Sequence, residues 1–122
     1  MKLVQEIDAD CCPPVLKAPL DDEAAEALAG ALKVLAEPAR LRLVSLIAAQ
    51  PGAEACICNL TEPLGLSQPT VSYHMKVLQE AGVLDRERRG HWVYFRLRSE
   101  TLRTLASALY PATGRDRPKR SA

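Results

Sequence analysis

The fold of this chain is decided by the segment Ser67-Gln68-Pro69-Thr70-Val71-Ser72-Tyr73-His74-Met75-Lys76-Val77-Leu78. Its first serine is a favoured helix N-cap, and Val71, Met75 and Leu78 recur at the spacing of one buried helical face. Gly82 is expected to end the helix, because glycine accepts the backbone conformation that follows a last turn. The segment therefore predicts an amphipathic helix with a polar outer face.

A short helix is expected immediately before this segment. Ile57, Leu60 and Leu64 are spaced as one apolar helical face, and Pro63 is expected to kink or shorten the element. The turn at Gly65-Leu66 then joins the two helices. Two helices connected so closely predict a helix-turn-helix.

A β-hairpin is predicted after the second of these helices. Residues 83–88 and 92–98 are expected to pair around Arg89-Gly90. The second strand alternates outward and inward residues, in the order Trp92, Val93, Tyr94, Phe95, Arg96 and Leu97. A hairpin that follows a helix-turn-helix is a wing, so the fold class is mainly α with a β-hairpin wing, a winged helix-turn-helix.

Two further helices are predicted before this unit. Asp21 or Asp22 can cap the first, whose apolar face is expected to be Ala25, Leu28, Leu32 and Leu35. Pro38 suits the first turn of the next helix. Apolar residues on several faces predict that this second helix is the most buried one: Leu41, Leu43, Val44, Leu46, Ile47 and Ala48.

A last helix is predicted from Ser99. Its apolar stripe, formed by Leu102, Leu105 and Leu109, is too narrow to bury the helix within a single chain. We therefore expect the first and last helices of two copies to form a two-fold interface, which makes the protein a homodimer.

The chain divides into three predicted regions. Residues 1–20 are expected to be an N-terminal arm with a cysteine pair, residues 21–110 the DNA-binding and dimerisation domain, and residues 111–122 a basic disordered tail. Net charge is +1, yet residues 1–37 hold three Lys against eight acids and residues 38–122 hold thirteen Lys or Arg against seven acids. A basic half suits a domain that meets phosphates on one side.

Composition and hydropathy exclude several classes of protein. Hydrophobic residues make up 48% of the chain, as in ordinary globular proteins. There is no apolar run of about eighteen residues, the length of a membrane span, and the first residues lack the features of a signal peptide. We expect a cytoplasmic protein with no membrane partner.

Four cysteines form two close pairs, Cys11-Cys12 and Cys56-Ile57-Cys58. In a reducing compartment such pairs favour soft-metal ligands or reactive thiols over structural disulfides. The second pair is expected near a helix start, where the helix dipole would favour the thiolate. Inert buried thiols and a redox-sensing disulfide are the alternatives.

The number of sulfur ligands would decide the metal. Three thiolates suit As(III) or Sb(III), and four suit Cd(II), Zn(II) or distorted Pb(II). Adjacent Cys11 and Cys12 do not easily share one unstrained tetrahedron, which favours As(III) without excluding Cd(II) or Pb(II). We expect no organic cofactor.

The polar face of the amphipathic helix is a candidate DNA-reading surface. A recognition helix contacts base edges from its N-terminal part, while basic and hydroxyl groups hold phosphates. The candidate residues are Ser67, Gln68, Thr70, Ser72, Tyr73 and Lys76 on the helix, with Arg88, Arg89 and His91, beside Arg86, on the hairpin. The alternative is an ordinary solvated helix face and a solubilising basic turn. His74 stays open between DNA contact and packing.

Four segments in order resemble the ArsR/SmtB family of metal-responsive repressors, over roughly residues 22–110. They are Leu35-Ala36-Glu37-Pro38-Ala39-Arg40-Leu41-Arg42-Leu43, then Ala55-Cys56-Ile57-Cys58-Asn59-Leu60, then the helix 66–78, and finally Gly90-His91-Trp92-Val93-Tyr94-Phe95-Arg96-Leu97. The resemblance implies a homodimeric winged helix-turn-helix that binds double-stranded operator DNA, represses its operon and leaves the DNA when metal binds.

The resemblance also implies roles for individual residues. The box at Cys56 and Cys58 corresponds to the family's metal-sensing site, which arm cysteines of the other protomer often complete. Cys11 and Cys12 match that arm. Arsenite sensors and cadmium or lead sensors of the family share such a box. In the family's DNA-binding helix, the positions that match Gln68, Ser72 and Tyr73 usually touch the bases or the backbone of DNA.

Some residues depart from family patterns. The last helix, 99–110, has no His, no Cys and one acid, Glu100, which argues against the zinc, nickel or cobalt site found there in other members. Pro63 and Tyr73 also differ from the common family residues. The resulting expectation is an arsenite- or antimonite-responsive repressor and not an enzyme. The alternatives are a Cd(II)- or Pb(II)-responsive repressor, a thiol-redox repressor and an intracellular cysteine-based metal buffer.

Overall fold

The computed structural model of the protein describes Val15 and residues 19–110. Cys11 and Cys12, with most of the predicted arm, and the predicted tail at 111–122 lie outside the described residues. The α-helices are α1 Asp22–Leu35, α2 Pro38–Ala48, α3 Thr61–Leu64, α4 Gln68–Glu80 and α5 Ser99–Leu109. The strands are β1 Glu54–Ala55, β2 Leu84–Arg89 and β3 Trp92–Leu97, with 3₁₀ turns at Pro51–Ala53 and Ile57–Asn59.

Side chains fix where three of the helices begin. An Asp21 carboxylate oxygen accepts a hydrogen bond from the Ala24 amide at 2.8 Å at the start of α1. The Glu37 carboxylate accepts from the Ala39 amide at 2.9 Å, and Pro38 occupies the first turn of α2. Ser67 caps α4 by accepting from the Thr70 amide at 3.4 Å. These bonds satisfy amides that have no partner within their own helix.

The centre of the core is the buried face of α4. Val71, Met75 and Leu78 have no solvent exposure, which confirms the predicted face of this helix. They belong to one cluster with Leu43 and Ile47 of α2, which are also fully buried. Burial of these aliphatic side chains therefore fixes the rotation of α4 and leaves its other face outside.

Helices α1 and α2 differ from the prediction in the residues that they bury. In α1 the buried residues are Ala24, Leu28, Ala31 and Val34, so the predicted face of Ala25, Leu28, Leu32 and Leu35 was wrong by about one position. Small alanines allow close approach to the core, and the bulkier leucines lie half-buried at its edge. In α2 only Leu43 and Ile47 are buried and Leu41 is 53% exposed, so α2 is not the most buried helix.

Helix α5 buries one residue of the predicted stripe, Leu105, together with Thr101 and Ala108. Leu102 is half-buried and Leu109 is exposed, so the stripe is not enclosed within the single chain. The Thr101 hydroxyl donates a buried hydrogen bond of 2.8 Å to the Gly82 carbonyl, and this bond sets the rotation of the first turn. Near the other end of α5, the Val15 amide donates to the Ala108 carbonyl at 2.8 Å.

The predicted hairpin is part of a three-stranded antiparallel sheet with the order β1-β3-β2. Strands β2 and β3 form the wing, and Arg88 pairs with Val93 in their register. The predicted alternation is confirmed on β3, where Phe95 is buried and Trp92 is 57% exposed. Strand β1 was not predicted, because two residues are too few to show an alternating pattern.

The segment between the sheet and α4 is more broken than predicted. The α-helix begins at Thr61 and not near Cys56, and residues 57–59 form a separate 3₁₀ turn. Pro63 lies within the first turn of this four-residue helix, where its missing amide costs no intrahelical bond. Gly65 ends α3 at φ 68°, as predicted. An Arg42 guanidinium nitrogen donates to the Pro63 carbonyl at 3.0 Å and ties α3 to α2.

Across the described part of the chain, we find no helix whose length and apolarity together would suffice for a membrane crossing.

The role of α2 in the core can be tested by two leucine substitutions. Leu43→Ala is expected to lower the free energy of unfolding by about 2–5 kcal/mol, because it removes a fully buried side chain and leaves a cavity. Leu41→Ala, on the exposed side of the same helix, should change it by less than about 0.5 kcal/mol. Urea denaturation followed by circular dichroism at one protein concentration measures both. Equal losses would contradict this assignment of the core.

Candidate thiolate site and nucleic-acid interface

Cys56 and Cys58 lie at the junction between the sheet and the helix-turn-helix. Cys56 directly follows β1 and is 6% exposed, whereas Cys58 lies in the 3₁₀ turn and is exposed. Neither forms a disulfide. The Cys58 sulfur is 3.9 Å from the Asn59 side-chain oxygen. One thiol is therefore open to solvent, and the other is held inside the fold.

The two thiols interact, and their environment favours the protonated form of Cys56. Burial raises the pKa of the Cys56 thiol, and the neighbouring Cys58 raises that pKa further. The expectation that a helix start favours the thiolate is therefore wrong for Cys56, because α3 begins at Thr61. A ligand that binds both sulfurs must displace the Cys56 proton, and formation of the bond to sulfur supplies the driving force.

The donor set suits a soft ion, and it is incomplete within the described range. No group of three or more His, Cys, Asp or Glu side chains that could hold a metal occurs among Val15 and residues 19–110. Two thiols separated by one residue fit the sulfur preference of As(III), Sb(III), Cd(II) or Pb(II). Any further thiolate of this chain would come from Cys11 or Cys12, which lie outside the described residues.

The outer face of α4 carries the polar residues predicted for DNA contact. Ser67, Gln68, Thr70, Tyr73 and Lys76 are exposed, and Ser72 is half-buried. Tyr73 has 60% of its surface exposed, which is unusual for a large aromatic residue. The arrangement leaves the N-terminal half of α4 free to enter a groove.

Two pairs of residues in this region are in contact with each other, Ser67 with Thr70 and Tyr73 with His74. The Ser67 hydroxyl donates to the Thr70 hydroxyl at 3.0 Å in addition to capping the helix. The His74 ring lies 5.3 Å from the Tyr73 ring, and its Nδ1 is buried with no hydrogen-bond partner among the described residues. His74 is thus a half-buried residue of α4 itself, and its role stays a prediction.

The basic residues of the wing fall into two groups. Arg88 and His91 are exposed near the turn, where the Arg88 Nε donates to the Gly90 carbonyl at 3.3 Å. Arg89 is already engaged: its two terminal nitrogens donate to the two Glu54 carboxylate oxygens at 3.0 and 2.7 Å. A phosphate contact by Arg89, as predicted, would require this ion pair to open.

The ion pair is part of a network on the outer face of the sheet. Arg89 also donates to Glu87 at 2.8 Å, and its guanidinium carbon lies 4.4 Å above the Tyr94 ring. Arg96 donates to the same Glu54 carboxylate at 3.2 Å. The hydrogen bonds from Arg89 hold the pKa of Glu54 and of Glu87 below the usual range and raise the pKa of Arg89. Glu54, Glu87 and Arg89 therefore stay charged at neutral pH.

A cleft connects the thiol segment to α4 and the wing. Ile57, the residue between the two cysteines, is half-buried and lines an open cleft of about 490 Å³. The other lining residues come from α4 and from the inner face of the sheet: Ser72, Lys76, Gln79, Glu80, Arg86, Val93 and Phe95. A displacement of Ile57 would therefore change the shape of a cleft that α4 and the wing both line.

Sequence reasoning missed Glu54 and the position of Ile57 at the cleft. Glu54 was unnoticed because a lone acid in a loop is a weak signal, and its partner Arg89 is distant in sequence. The alternation that would have revealed β1 needs more than two residues. One signal was available in the sequence. Glu54 lies two positions before Cys56, and the predicted hairpin carries arginines with which an acid could pair.

Known proteins with a related sequence identify the family. Residues 37–86 match the profile described as bacterial regulatory protein, arsR family. The arsenical resistance operon repressor of Bacillus subtilis is 33% identical over 75 residues, which cover 62% of this chain and 70% of that protein. The chain belongs to the ArsR family. That family description is one of regulatory proteins and indicates no catalytic function.

Other ArsR relatives match over a shorter part of their length. The arsenic resistance transcriptional regulator ArsR1 of Pseudomonas putida is 48% identical over 68 residues, which cover 56% of this chain and 52% of that protein. The arsenical resistance operon repressor of Escherichia coli is 40% identical over 65 residues, covering 53% and 54%. The chain thus spans about half the length of these two relatives.

Solved structures confirm the winged helix-turn-helix. The AntR antimony-specific transcriptional repressor is 27% identical with a TM-score of 0.62, covering 76% of this chain and 85% of that one. A fragment of Mb0332 from Mycobacterium bovis, described as a homodimeric winged helix-turn-helix DNA-binding domain, is 26% identical with a TM-score of 0.57. It covers 73% of this chain and 83% of that one.

The unequal burial of the two thiols predicts unequal reactivity. In a Cys11→Ser, Cys12→Ser background, iodoacetamide should alkylate Cys58 on the order of tenfold faster than Cys56, because Cys56 is shielded and its thiolate is disfavoured. Peptide mass spectrometry at timed intervals measures both rates.

The protein unfolded in urea is the control for this measurement. Because the folded environment raises the pKa of Cys56, its alkylation should rise at a higher pH in the native protein than in the unfolded one. Equal rates for the two cysteines in the native protein would show that Cys56 is not protected by the fold.

Proposed function

We propose that this protein is an arsenite- or antimonite-responsive transcriptional repressor that binds operator DNA as a homodimer and dissociates when thiolates capture the metalloid. The observation that carries the proposal is the position of Cys56 and Cys58. They occupy the segment that joins the sheet to the helix-turn-helix, with Ile57 between them against the cleft beside α4. Ligand capture there acts on the elements expected to contact DNA.

The proposed DNA surface combines the outer face of α4 with the tip of the wing. Gln68 at the first turn can pair bidentately with adenine, and Lys76 can neutralise a phosphate. The remaining helix contacts are Ser67, Thr70, Ser72 and Tyr73, and the wing contacts are Arg88 and His91. Arg89 is not included, because two carboxylates already hold its guanidinium.

The proposed ligand is As(III) or Sb(III) bound by Cys56, Cys58 and one or both of Cys11 and Cys12. The arsenical resistance relatives and the AntR neighbour support a metalloid over a divalent cation. A three-thiolate site also suits the lone pair of these ions. A Cd(II)- or Pb(II)-responsive repressor, with all four thiolates as ligands, is the second candidate.

The homodimer and the arm belong to the same proposal. The Mb0332 fragment is described as homodimeric, and Leu109 is exposed at the end of α5 in this chain. The amide of Val15 donates a hydrogen bond to the Ala108 carbonyl of α5, a helix of the proposed interface. We propose residues 1–20 as the arm, 21–110 as the domain and 111–122 as a basic tail. The proposed contact with operator DNA implies a cytoplasmic location.

The proposed switch needs only a modest movement. Capture by both thiols changes the 3₁₀ turn that holds Ile57, and α3 with α4 follows through the short connection at Gly65-Leu66. Two recognition helices in a dimer must match half-sites about one helical turn apart, so a small shift disturbs both at once. A coupling of about 1–3 kcal/mol changes operator affinity about 5- to 150-fold.

The ligand response is tested by fluorescence anisotropy of the reduced full chain on its own upstream DNA. Arsenite and antimonite are each expected to weaken DNA binding at least about fivefold. Cys56→Ser should bind DNA as the wild type does and lose this response, because one of the proposed sulfur ligands is gone. Cys11→Ser and Cys12→Ser show which arm thiol takes part.

The same titration with Cd(II), Pb(II) and hydrogen peroxide separates the alternatives. Release by Cd(II) or Pb(II) alone would assign a four-thiolate site, and release by peroxide alone would assign a redox sensor. DNA binding that no agent changes would overturn the sensor proposal. Absence of specific DNA binding would leave a cysteine-based metal buffer.

The DNA surface is tested by two substitutions on α4. Lys76→Ala should reduce the slope of log affinity against log salt by about 0.9, because it removes one phosphate contact. Gln68→Ala should leave that slope unchanged and reduce the preference for operator over unrelated DNA by about 1–3 kcal/mol. Lys33→Ala, at the end of α1 and away from this surface, is the control. Equal salt slopes for Lys76→Ala and Lys33→Ala would contradict the phosphate role.

A further inference from the structure

Glu54 links the thiol segment to the wing. It lies two residues before Cys56, on β1, and it pairs with Arg96 of β3 in the antiparallel register. The next residue, Ala55, pairs with the buried Phe95. Cys56 is the residue directly after β1, and β1 is hydrogen-bonded to strand β3 of the wing. A movement of the Cys56 backbone would therefore displace a strand that is attached to the wing.

Side chains strengthen this backbone connection. The Glu54 carboxylate has only 22% of its side-chain surface exposed, and both of its oxygens accept from Arg89. Arg89 is the last residue of β2, so the contact spans the whole sheet from β1 to the far strand. The planar guanidinium matches two carboxylate oxygens at once, and this bidentate pairing fixes direction as well as distance.

Further partners limit the freedom of Arg89. Glu87 accepts a third hydrogen bond at 2.8 Å, and the Tyr94 ring covers one face of the guanidinium at 4.4 Å. In contrast, the neighbouring Arg88 is exposed and its Nε bonds only within the turn. The two adjacent arginines therefore have different environments, although the sequence makes them look equivalent.

We propose that Glu54 and Arg89 form a clamp that sets the position of the wing and carries movement of Cys56 to it, which makes Arg89 a positioning residue and not a phosphate contact. This inference rests on the proposed function. It adds a second route from the thiols to DNA, through the sheet, beside the route through α3 and α4. Both routes begin at the same 54–58 segment.

The test uses the reduced full chain on its upstream DNA, with arsenite as the probe. Glu54→Gln and Arg89→Lys remove the bidentate ion pair with little change in size. Arg89→Gln removes the charge, and Arg88→Gln is its matched control on the adjacent position. Glu62→Gln is the control for Glu54, because its exposed carboxylate on α3 forms no ion pair within the described residues. Thermal unfolding confirms that each variant is folded.

Salt dependence separates a positioning residue from a phosphate contact. Arg88→Gln should lower the slope of log operator affinity against log salt by about 0.9, and Arg89→Gln should leave that slope at the wild-type value. A loss of about 0.9 in the slope for Arg89→Gln would show that Arg89 neutralises a phosphate, and it would overturn this part of the inference.

The arsenite response tests the clamp itself. Glu54→Gln and Arg89→Lys should each reduce the factor by which arsenite weakens operator binding by at least about fivefold, because the sheet then no longer transmits movement of the thiol segment. Arsenite binding, followed by thiolate absorbance, should stay unchanged. The double variant should behave as either single one, since both break the same contact. Glu62→Gln should respond as the wild type does.

Trp92 provides a direct signal from the wing. It is the single tryptophan of the chain, it is 57% exposed, and it pairs with Arg89 in the register. Arsenite should change its emission in the wild type and in Glu62→Gln, and the change should be lost in Glu54→Gln. This readout would not respond to a residue that merely stabilises the fold.

The outcomes separate the inference from the proposed function. If arsenite releases the wild type and Glu54→Gln equally, with the same change in Trp92 emission, the clamp is overturned and the repressor proposal stands. If no metalloid releases the wild type, the proposed function fails and the clamp falls with it.

Discussion

The structure depends on the burial of one face of α4. Val71, Met75 and Leu78 lie in the same cluster as Leu43 and Ile47 of α2, all without solvent exposure. Because this face is fully enclosed, the helix cannot rotate without exposing several aliphatic side chains, at about 1.5–3 kcal/mol for each one. The polar face is thereby fixed in its direction, and the Ser67 cap fixes the point at which it begins. Only a movement of α4 as a whole remains available to a ligand.

The thiol segment is attached to this rigid centre on two sides. Towards the N-terminus it continues into β1 and the sheet, and towards the C-terminus it continues into α3 and the turn before α4. Ile57 fills the space between these attachments at the cleft beside α4. A small change at Cys56 and Cys58 would consequently act on both the helix and the wing, which suits the proposed switch because the proposed DNA surface is built from both.

The sequence predicted the elements with strong local signals. Each of these signals depends on a few neighbouring residues. They are the cap at Ser67, the buried face of α4, the turn at Gly65 and the alternation in β3. Most of the buried face of α1 and the burial of Thr101 on α5 were not predicted, because distant partners set the rotation of these helices, as in the bond between Thr101 and Gly82. The pairing of Glu54 with Arg89 spans 35 positions and follows from a two-residue strand, so no local pattern could predict it. Cys11 and Cys12 lie outside the described residues, so their part in a thiolate site stays a prediction from the sequence.

The unequal exposure of the two thiols has a kinetic consequence. At the proposed site, an incoming ion would meet Cys58 first, in open solvent, and form a singly attached adduct that can leave again. Closure onto Cys56 would then require removal of a proton from a shielded sulfur whose pKa is raised by burial. An ion that binds sulfur weakly would depart before this second step, whereas a thiophilic ion would stay long enough to complete it. In the proposed sensor, the buried cysteine would therefore select ions by residence time as well as by affinity.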